Sequence, residues 1–277
     1  MERTESHQIK GEHMMLTVGN INVCYNDAGE GNLPLIFIHG FPFDNTMWVS
    51  QIDELQKYYR VISYDVRGYG KSTAGDENFS INLFADDLLN MMDILQIQKT
   101  VVCGLSMGGY IALNAVNRFV NRFGGLILCD TTCEADSESA KEKRFKNIQI
   151  IDDGGKDSFV NNMLPILFSE QSKTNQPHKV EKIKGTMMDA DPISIIKTLK
   201  ALAERWETCS TLNEIRIPTL IICGTEDKIT PPEKAKFMHQ QIKGSRMELI
   251  GGSGHLSPFE NPEEVNGHIR KFLSEIE

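Results

Sequence analysis

The sequence predicts an α/β protein with a mostly parallel sheet, helices on both faces of the sheet and an inserted helical cap. Short apolar runs recur along the chain, and each is followed by turn residues and then by a longer helical pattern. Between residues 131 and 207 the strand signal disappears, and the chain becomes helical and rich in charge. One apolar run, at 101–105, leads through a glycine-flanked serine directly into a helical pattern.

The predicted strands begin with two alternating segments, MMLTVGN and INVCYND, which meet at the turn-forming dipeptide Gly19-Asn20. Five apolar runs follow: LPLIFIHG, YRVISYD, TVVCGLS, GGLILCD and PTLIICG. Parallel strands are buried on both faces and therefore read as continuous apolar runs, whereas exposed antiparallel strands alternate. We expect a mostly parallel sheet with an antiparallel start.

The spacing of apolar residues predicts helices over residues 47–58, 81–95 and 109–123. A last helix is predicted over 262–276, because Val265, Ile269 and Leu273 recur at four-residue intervals. These helices are expected to pack on the sheet.

The stretch from 131 to 207 is interpreted as a helical cap inserted into a core of residues 1–130 and 208–277. Asp191 followed by Pro192 marks a helix start within it. One apolar face then follows, formed by Ile195, Leu199, Leu202 and Trp206. The alternative is a plain set of surface helices.

Composition excludes several classes of function. The 277 residues are 40% hydrophobic and 24% charged, as in a globular protein with a large core. A net charge of -9 argues against nucleic acid as a partner, because nucleic-acid binders concentrate Lys and Arg. The start MERTESHQIKGEHMM is polar and lacks an apolar run, so no signal peptide is expected, and no apolar run is long enough to span a membrane. We expect a cytoplasmic protein without a membrane partner; the sequence leaves its oligomeric state open.

The six cysteines are expected to be free thiols. Cys103, Cys129 and Cys223 lie in apolar runs, where a thiol acts as a small hydrophobic group. Disulfides are rare in cytosolic proteins of this size. Cys129 and Cys133 are close in sequence, but no second Cys/His pair at zinc spacing accompanies them, so no metal site is predicted.

The segment Gly104-Leu105-Ser106-Met107-Gly108 fits G-x-S-x-G between a strand and a helix, which is the context of a nucleophile elbow. Such a turn forces the serine into a strained backbone conformation, and only small residues two positions away let strand and helix pass closely. The serine hydroxyl is then held above the sheet at a helix N-terminus. Ser106 is the predicted nucleophile.

A serine hydroxyl needs a base, and the base needs an orienting carboxylate. His255 ends MELIGGSGH, and Asp227 ends LIICGTED, so the chain order is Ser, Asp, His. Asp130, at the end of LILCD, is the alternative acid. We favour Asp227 because GTEDKITPP is a long, turn-rich loop that is able to reach a histidine.

The remaining histidines have no comparable setting. His39 closes LIFIHG, and we interpret its side chain as one that shapes the following loop through hydrogen bonds. That loop contributes through its backbone, because an oxyanion needs donors that already point at the developing charge. The N–H groups of Phe41 and Met107 are the candidates. The polar contexts of the other five favour solvated side chains: His7, His13, His178, His239 and His268.

Five segments resemble the α/β-hydrolase superfamily in order and spacing: HGFPFDNTMW, YDVRGYGKS, GLSMGG, GTEDKITPP and GSGHLSPFENPEE. Within it, the chain resembles small carboxylesterases, 3-oxoadipate enol-lactonases and cofactor-free perhydrolases. The resemblance implies an eight-stranded, mostly parallel sheet, a helical cap after the sixth strand, and a triad of Ser106, His255 and Asp227. No metal or organic cofactor is expected.

The sequence thus predicts a serine hydrolase that cleaves an ester or lactone of a small, largely apolar molecule. Alternatives on the same site are peracid formation, amide cleavage and carbon–carbon hydrolysis, the last being disfavoured because Leu256 follows the histidine where many such hydrolases carry tryptophan. A ligand receptor with slow turnover is the third possibility. The residues expected to contact substrate are Phe41, Met107 and Leu256 beside the catalytic atoms, and Leu164, Leu167, Phe168 and Trp206 in the cap, although each cap residue could equally belong to the core.

Overall fold

The structure, a computed structural model, describes residues 14–276, so that His7 and His13 lie outside the described residues. Its strands are β1 (Met14–Val18), β2 (Ile21–Ala28), β3 (Leu35–Ile38), β4 (Val61–Tyr64), β5 (Thr100–Leu105), β6 (Phe123–Cys129), β7 (Thr219–Gly224) and β8 (Arg246–Ile250). Its α-helices are α1 (Val49–Leu55), α2 (Ile81–Ile94), α3 (Met107–Phe119), α4 (Glu138–Asp152), α5 (Lys156–Leu167), α6 (Glu170–Asn175), α7 (Pro177–Asp189), α8 (Pro192–Ala203), α9 (Pro232–Gln241), α10 (Ser257–Glu260) and α11 (Pro262–Leu273).

The eight strands of the described residues form one sheet in the order β1-β2-β4-β3-β5-β6-β7-β8. Strands β1, β2 and β4 pair antiparallel, and all other neighbours pair parallel. The hairpin turns at Gly19, whose φ of 58° is one that glycine adopts without strain. The predicted mostly parallel sheet with an antiparallel start is confirmed.

The parallel strands β3, β5 and β6 are buried along nearly their whole length, in agreement with their continuous apolar sequences. Because parallel strands share a direction, the loops after β5, β6, β7 and β8 meet at one edge of the sheet. The residues predicted to be catalytic lie on these loops.

The helix boundaries differ from the predicted ones mainly at their ends. Helix α3 begins at Met107, immediately after the serine, rather than at residue 109. Helix α8 begins as predicted, since the Asp191 side chain caps it by accepting a hydrogen bond from the Ser194 N–H at 2.8 Å. It ends at Ala203, however, three residues before Trp206.

Helices α4 to α8 occupy the chain between β6 and β7, and we call residues 138–203 the helical insertion. Helix α4 contacts α8, and α5 contacts α7. Apolar residues of α5, α7 and α8 are buried and join the same hydrophobic core as the sheet residues.

A disulfide joins Cys133 to Cys209 across a sequence separation of 76 residues. These two residues lie just before and just after the helical insertion, so the bond ties its two ends together. The expectation of six free thiols is therefore wrong for this pair. The other four cysteines of the described residues are buried and take no part in a disulfide: Cys24, Cys103, Cys129 and Cys223. Because disulfides are typical of oxidising compartments, the cytoplasmic location stays a prediction.

None of the helices in residues 14–276 combines the length and the apolar character that crossing a bilayer requires.

Candidate active site

Ser106 lies at a strained junction between β5 and α3. Its φ is 52° and its ψ is -112°, a backbone conformation that a residue with a side chain rarely adopts. A side chain at Gly104 would overlap the carbonyl oxygen of Gly108, and one at Gly108 would overlap that of Ile38. The two glycines of the motif are therefore required by the close passage of helix α3 over the sheet.

The junction is fixed by hydrogen bonds to the neighbouring strand. The N–H of Ser106 donates to the carbonyl oxygen of Cys129 at 3.0 Å, and the Thr131 hydroxyl donates to the carbonyl oxygen of Ser106 at 2.8 Å. Ser106 itself is half-buried and stands immediately before the first residue of α3. Its hydroxyl is thus close to N–H groups that have no acceptor within the helix.

His255 and Asp227 form a buried pair on the loops after β8 and β7. Nδ1 of His255 lies 2.8 Å from Oδ2 of Asp227. The other carboxylate oxygen of Asp227 accepts the N–H groups of Ile229 and Thr230 at 2.8 and 2.9 Å. The Thr230 hydroxyl donates to Oδ2 at 2.7 Å. The carboxylate is held in place by its own loop, and Nε2 of His255 is the ring nitrogen left for a reacting group.

The interaction between the two residues raises the pKa of His255 and lowers the pKa of Asp227. Burial alone would lower the pKa of His255, but the charge and hydrogen bond of Asp227, supported by Asp130 and Glu260, raise it above the usual value. Burial alone would raise the pKa of Asp227, but His255 and the donors of Thr230 lower it. The geometry therefore favours an ionised carboxylate beside an imidazole that accepts a proton readily.

Asp130, the alternative acid, has different partners. Its carboxylate accepts the N–H of Gly224 at 2.8 Å, and it accepts the N–H and the hydroxyl of Ser257 at 3.0 and 2.7 Å. It is fully buried, and burial together with the charge of Asp227 raises its pKa. No hydrogen bond joins it to the His255 ring within the described residues.

Asp130, Cys223 and Asp227 bring potential metal ligands within 4.8 Å of one another. Both carboxylates already accept hydrogen bonds at each oxygen. Burial also raises the pKa of the Cys223 thiol, which disfavours the thiolate that metals prefer. We therefore attribute this cluster to hydrogen bonding rather than to metal binding.

Two backbone donors were predicted for an oxyanion, at Phe41 and Met107. Met107 is the first residue of α3, so its N–H has no acceptor within the helix. Neither N–H donates a hydrogen bond to another described residue. His39 shapes the loop before Phe41, because its Nε2 accepts the N–H of Val66 at 2.9 Å and its Nδ1 lies 2.8 Å from the carbonyl oxygen of Gly40.

A cavity of about 850 Å³ lies between the helical insertion and the edge of the sheet. It reaches the predicted site at Phe41 and at Thr230, whose hydroxyl lies 3.3 Å from Nδ1 of His255. One part of its wall is apolar, and another part is charged. The apolar residues include Phe41, Phe159, Met163, Ile166, Leu199 and Ile229. The charged residues include Glu134, Asp136, Lys143, Arg144, Arg205 and Lys234.

Most residues predicted to contact substrate do not line this cavity. Phe41 does. Met107, Leu256, Leu164 and Phe168 are buried in the surrounding core. Trp206 does not line this cavity either: its side chain is 88% exposed and lines a smaller neighbouring pocket. The apolar spacing of α8 had been extended to residue 206, but the helix ends at Ala203 and the face does not continue.

Three apolar cavity residues that the sequence analysis missed lie on α5. This helix buries Val160, Leu164 and Leu167 on one face. Phe159, Met163 and Ile166, at helical spacing on another face, line the cavity. The same periodicity that places Leu164 in the core could have identified the second apolar face.

Comparisons with known proteins identify the family to which the chain belongs. A family model described as the alpha/beta hydrolase fold matches residues 34–262. The structure of a thermophilic esterase from Thermogutta terrifontis superposes with a TM-score of 0.91 at 35% identity, covering 96% of this chain and 99% of that one. The enol-lactonase from Burkholderia xenovorans LB400 superposes with a TM-score of 0.88 at 25% identity, covering 94% and 100%. The curated 3-oxoadipate enol-lactonase 1 of Acinetobacter baylyi is 29% identical over 90% of this chain and 92% of its own length. The chain belongs to the α/β-hydrolase family.

Proposed function

We propose that this protein is a serine hydrolase that cleaves a carboxylic ester or lactone of a small, largely apolar substrate through an acyl-enzyme on Ser106. The observation that carries the proposal is the buried pair of His255 and Asp227, 2.8 Å apart, at the sheet edge that also presents the strained Ser106. The esterase and enol-lactonase among its relatives support the same reaction class.

In the first step, Nε2 of His255 takes the hydroxyl proton of Ser106 as the oxygen attacks the substrate carbonyl. The hydrogen bond from Nδ1 to Asp227 fixes the tautomer that leaves Nε2 unprotonated. The carboxylate then stabilises the imidazolium, and the raised pKa of His255 favours this transfer.

The attack places negative charge on the former carbonyl oxygen. The N–H groups of Phe41 and Met107 donate to this oxyanion, and the N-terminal end of α3 adds its partial positive charge. His255 gives its proton to the alcohol oxygen as the ester bond breaks, which leaves the acyl group on Ser106; the alcohol departs from an ester and stays attached to the acyl chain of a lactone. A water molecule, deprotonated by the same imidazole, then attacks the acyl carbon, and the imidazolium returns the proton to the Ser106 oxygen as the acid is released.

The helical insertion serves as the cap of this site in our proposal. It supplies Phe159, Met163 and Ile166 to the cavity, and the ring centroid of Phe159 lies 6.2 Å from that of Phe41. An apolar wall of this kind separates substrates that differ by one methylene by only about 1–3 kcal/mol, so we expect broad selectivity for acyl chain length.

The proposal is tested by hydrolysis of p-nitrophenyl butyrate, followed by a panel of lactones and amides. We expect a burst of p-nitrophenol and then steady turnover, and Ser106→Ala is expected to lose at least about 10³-fold in kcat. Ser274→Ala, an exposed serine after α11, is the matched control and should keep the wild-type rate.

Equal rates for the wild-type protein and Ser106→Ala would contradict the proposal. Stoichiometric binding of esters without turnover would favour a receptor instead. Faster cleavage of amides than of matched esters would change the reaction class while leaving the nucleophile in place.

A further inference from the structure

The loop that carries His255 is held by a second carboxylate, that of Glu260. The Glu260 side chain is buried, with 3% exposure. Its Oε1 accepts the N–H of Gly254 at 2.8 Å and that of Leu256 at 3.3 Å. These are the two residues that flank His255, so one oxygen atom fixes the backbone on both sides of the predicted base.

The other oxygen of Glu260 binds the helical insertion. Oε2 accepts both the N–H and the hydroxyl of Ser169, each at 3.0 Å. Ser169 caps helix α6. The N–H of His255 itself donates to the carbonyl oxygen of Leu167 at 2.8 Å. The histidine loop and the segment between α5 and α6 are thus joined through one buried carboxylate and one direct backbone bond.

The two segments are in backbone contact. A Cβ atom at Gly254 would lie 2.6 Å from the nitrogen of Ser169 and 2.7 Å from the carbonyl carbon of Phe168. Lys179 of α7 adds a further link, since its Nζ donates to the carbonyl oxygens of Phe259 and Glu260 at 2.9 and 3.1 Å. The position of the histidine loop therefore depends on the helical insertion as well as on the sheet.

We propose that Glu260 is a positioning residue for His255, whose carboxylate fixes the amides on both sides of the histidine to the helical insertion at Ser169. This proposal rests on the proposed function, because His255 must act as the base for its position to matter. A carboxylate that accepts four hydrogen bonds from buried donors forms stronger bonds than a neutral acceptor would. A glutamine cannot replace it, because its amide nitrogen would face donors on one of the two sides.

Glu260 also acts on the histidine through its charge. The charged groups that face His255 are Asp227 after β7, Asp130 at the end of β6 and Glu260 on α10, and each raises the pKa of the imidazole. Lys179 is the cation next to Glu260. Removal of the Glu260 charge therefore lowers the pKa of His255, and the acid limb of the pH profile moves to lower pH. A residue with a purely structural role would not produce this shift.

The test compares Glu260→Gln with Glu263→Gln, which makes the same charge change at an exposed position three residues away. Ester hydrolysis is measured across pH for both variants, the wild-type protein and Ser106→Ala. For Glu260→Gln we expect kcat to fall about 10- to 100-fold with little change in KM, as for a misplaced catalytic group. Its acid limb should also lie at lower pH, while Glu263→Gln should match the wild-type protein in both respects.

A wild-type kcat in Glu260→Gln, or a lower kcat with an unmoved acid limb, would overturn the positioning role of Glu260. The proposed function would still stand in either case if the wild-type protein shows turnover that depends on Ser106. Wild-type protein without Ser106-dependent turnover would overturn the proposed function itself. If Glu260→Gln does not fold, Ser169→Ala removes the hydroxyl bond to Oε2 from the side of the helical insertion. A several-fold lower kcat at unchanged KM then supports the proposal, and a wild-type kcat contradicts it.

Discussion

Nδ1 of His255 lies 2.8 Å from Oδ2 of Asp227, although the two residues are 28 positions apart in the chain. The fully buried Asp130 is also close enough to affect the pKa of His255, yet it binds the backbone of Gly224 and Ser257 instead of the ring. Two buried carboxylates thus lie near one imidazole, and only Asp227 is placed to orient it.

This difference predicts that replacing each carboxylate by its amide lowers the catalytic activity to a different extent. Asp227→Asn should lower kcat by about 10⁴-fold, because an amide at this position favours the wrong imidazole tautomer. Asp130→Asn should lose far less activity per molecule of folded protein, since its bonds support loops rather than the ring. Steady-state kinetics with active-site titration measures both, and a larger loss in Asp130→Asn would assign the acid to Asp130.

The raised pKa of His255 predicts the pH dependence of the reaction. The base must be unprotonated, so kcat/KM should rise with pH and reach half its plateau above 6.5, the usual pKa of histidine. Asp227→Asn removes the largest favourable charge and should move this midpoint to lower pH. The profile of kcat/KM between pH 5 and 9 provides the measurement, and a wild-type midpoint below that of Asp227→Asn would contradict the account.

Because α3 passes close to β3, we expect one methyl group added at Gly108 to lower the stability of the fold markedly. Gly108→Ala places a Cβ against the carbonyl oxygen of Ile38, which belongs to the sheet and cannot move away easily. We expect a loss of about 1–3 kcal/mol in the free energy of unfolding, measured by urea denaturation. Gly185→Ala is the matched control, because nothing lies within 4 Å of that position in α7. It should gain about 0.5–1 kcal/mol, and equal effects at both sites would contradict the packing described.

The disulfide between Cys133 and Cys209 predicts a stability that depends on redox conditions. It closes a long segment that contains the whole helical insertion, so reduction should lower the free energy of unfolding by about 2–4 kcal/mol. Thermal unfolding with and without dithiothreitol measures this effect. The double variant Cys133→Ser with Cys209→Ser should unfold at one temperature in both buffers, whereas a wild-type protein insensitive to the reductant would show that the bond does not form.

The sheet and the loops of Ser106, Asp227 and His255 could be predicted because their signals are local. Each strand is a short apolar run, and each site residue directly follows such a run or lies a few residues beyond it. The order of the runs then brings the loops to one edge. The hydrogen bond to His255 that distinguishes Asp227 from Asp130 joins parts of the chain that are distant in sequence. The sequence could therefore favour Asp227 but could not exclude Asp130.

The disulfide and the cavity could not be predicted in the same way. Cys133 and Cys209 are close in space only because the two ends of the helical insertion lie next to each other. No local sequence pattern predicts that proximity. Helix α5 has two apolar faces, and the choice between them depends on where the sheet lies. Trp206 was misplaced because a periodic pattern does not show that its helix has ended.

The central claim is that Ser106 is the nucleophile activated by His255. Fluorophosphonate labelling followed by peptide mapping by mass spectrometry tests it most directly, because the reagent reacts covalently with an activated serine. We expect one adduct per chain, on the peptide that contains Ser106, and a strong loss of labelling in a His255→Ala variant. Labelling of another serine, or ester turnover that continues in a protein fully labelled at Ser106, would contradict the account.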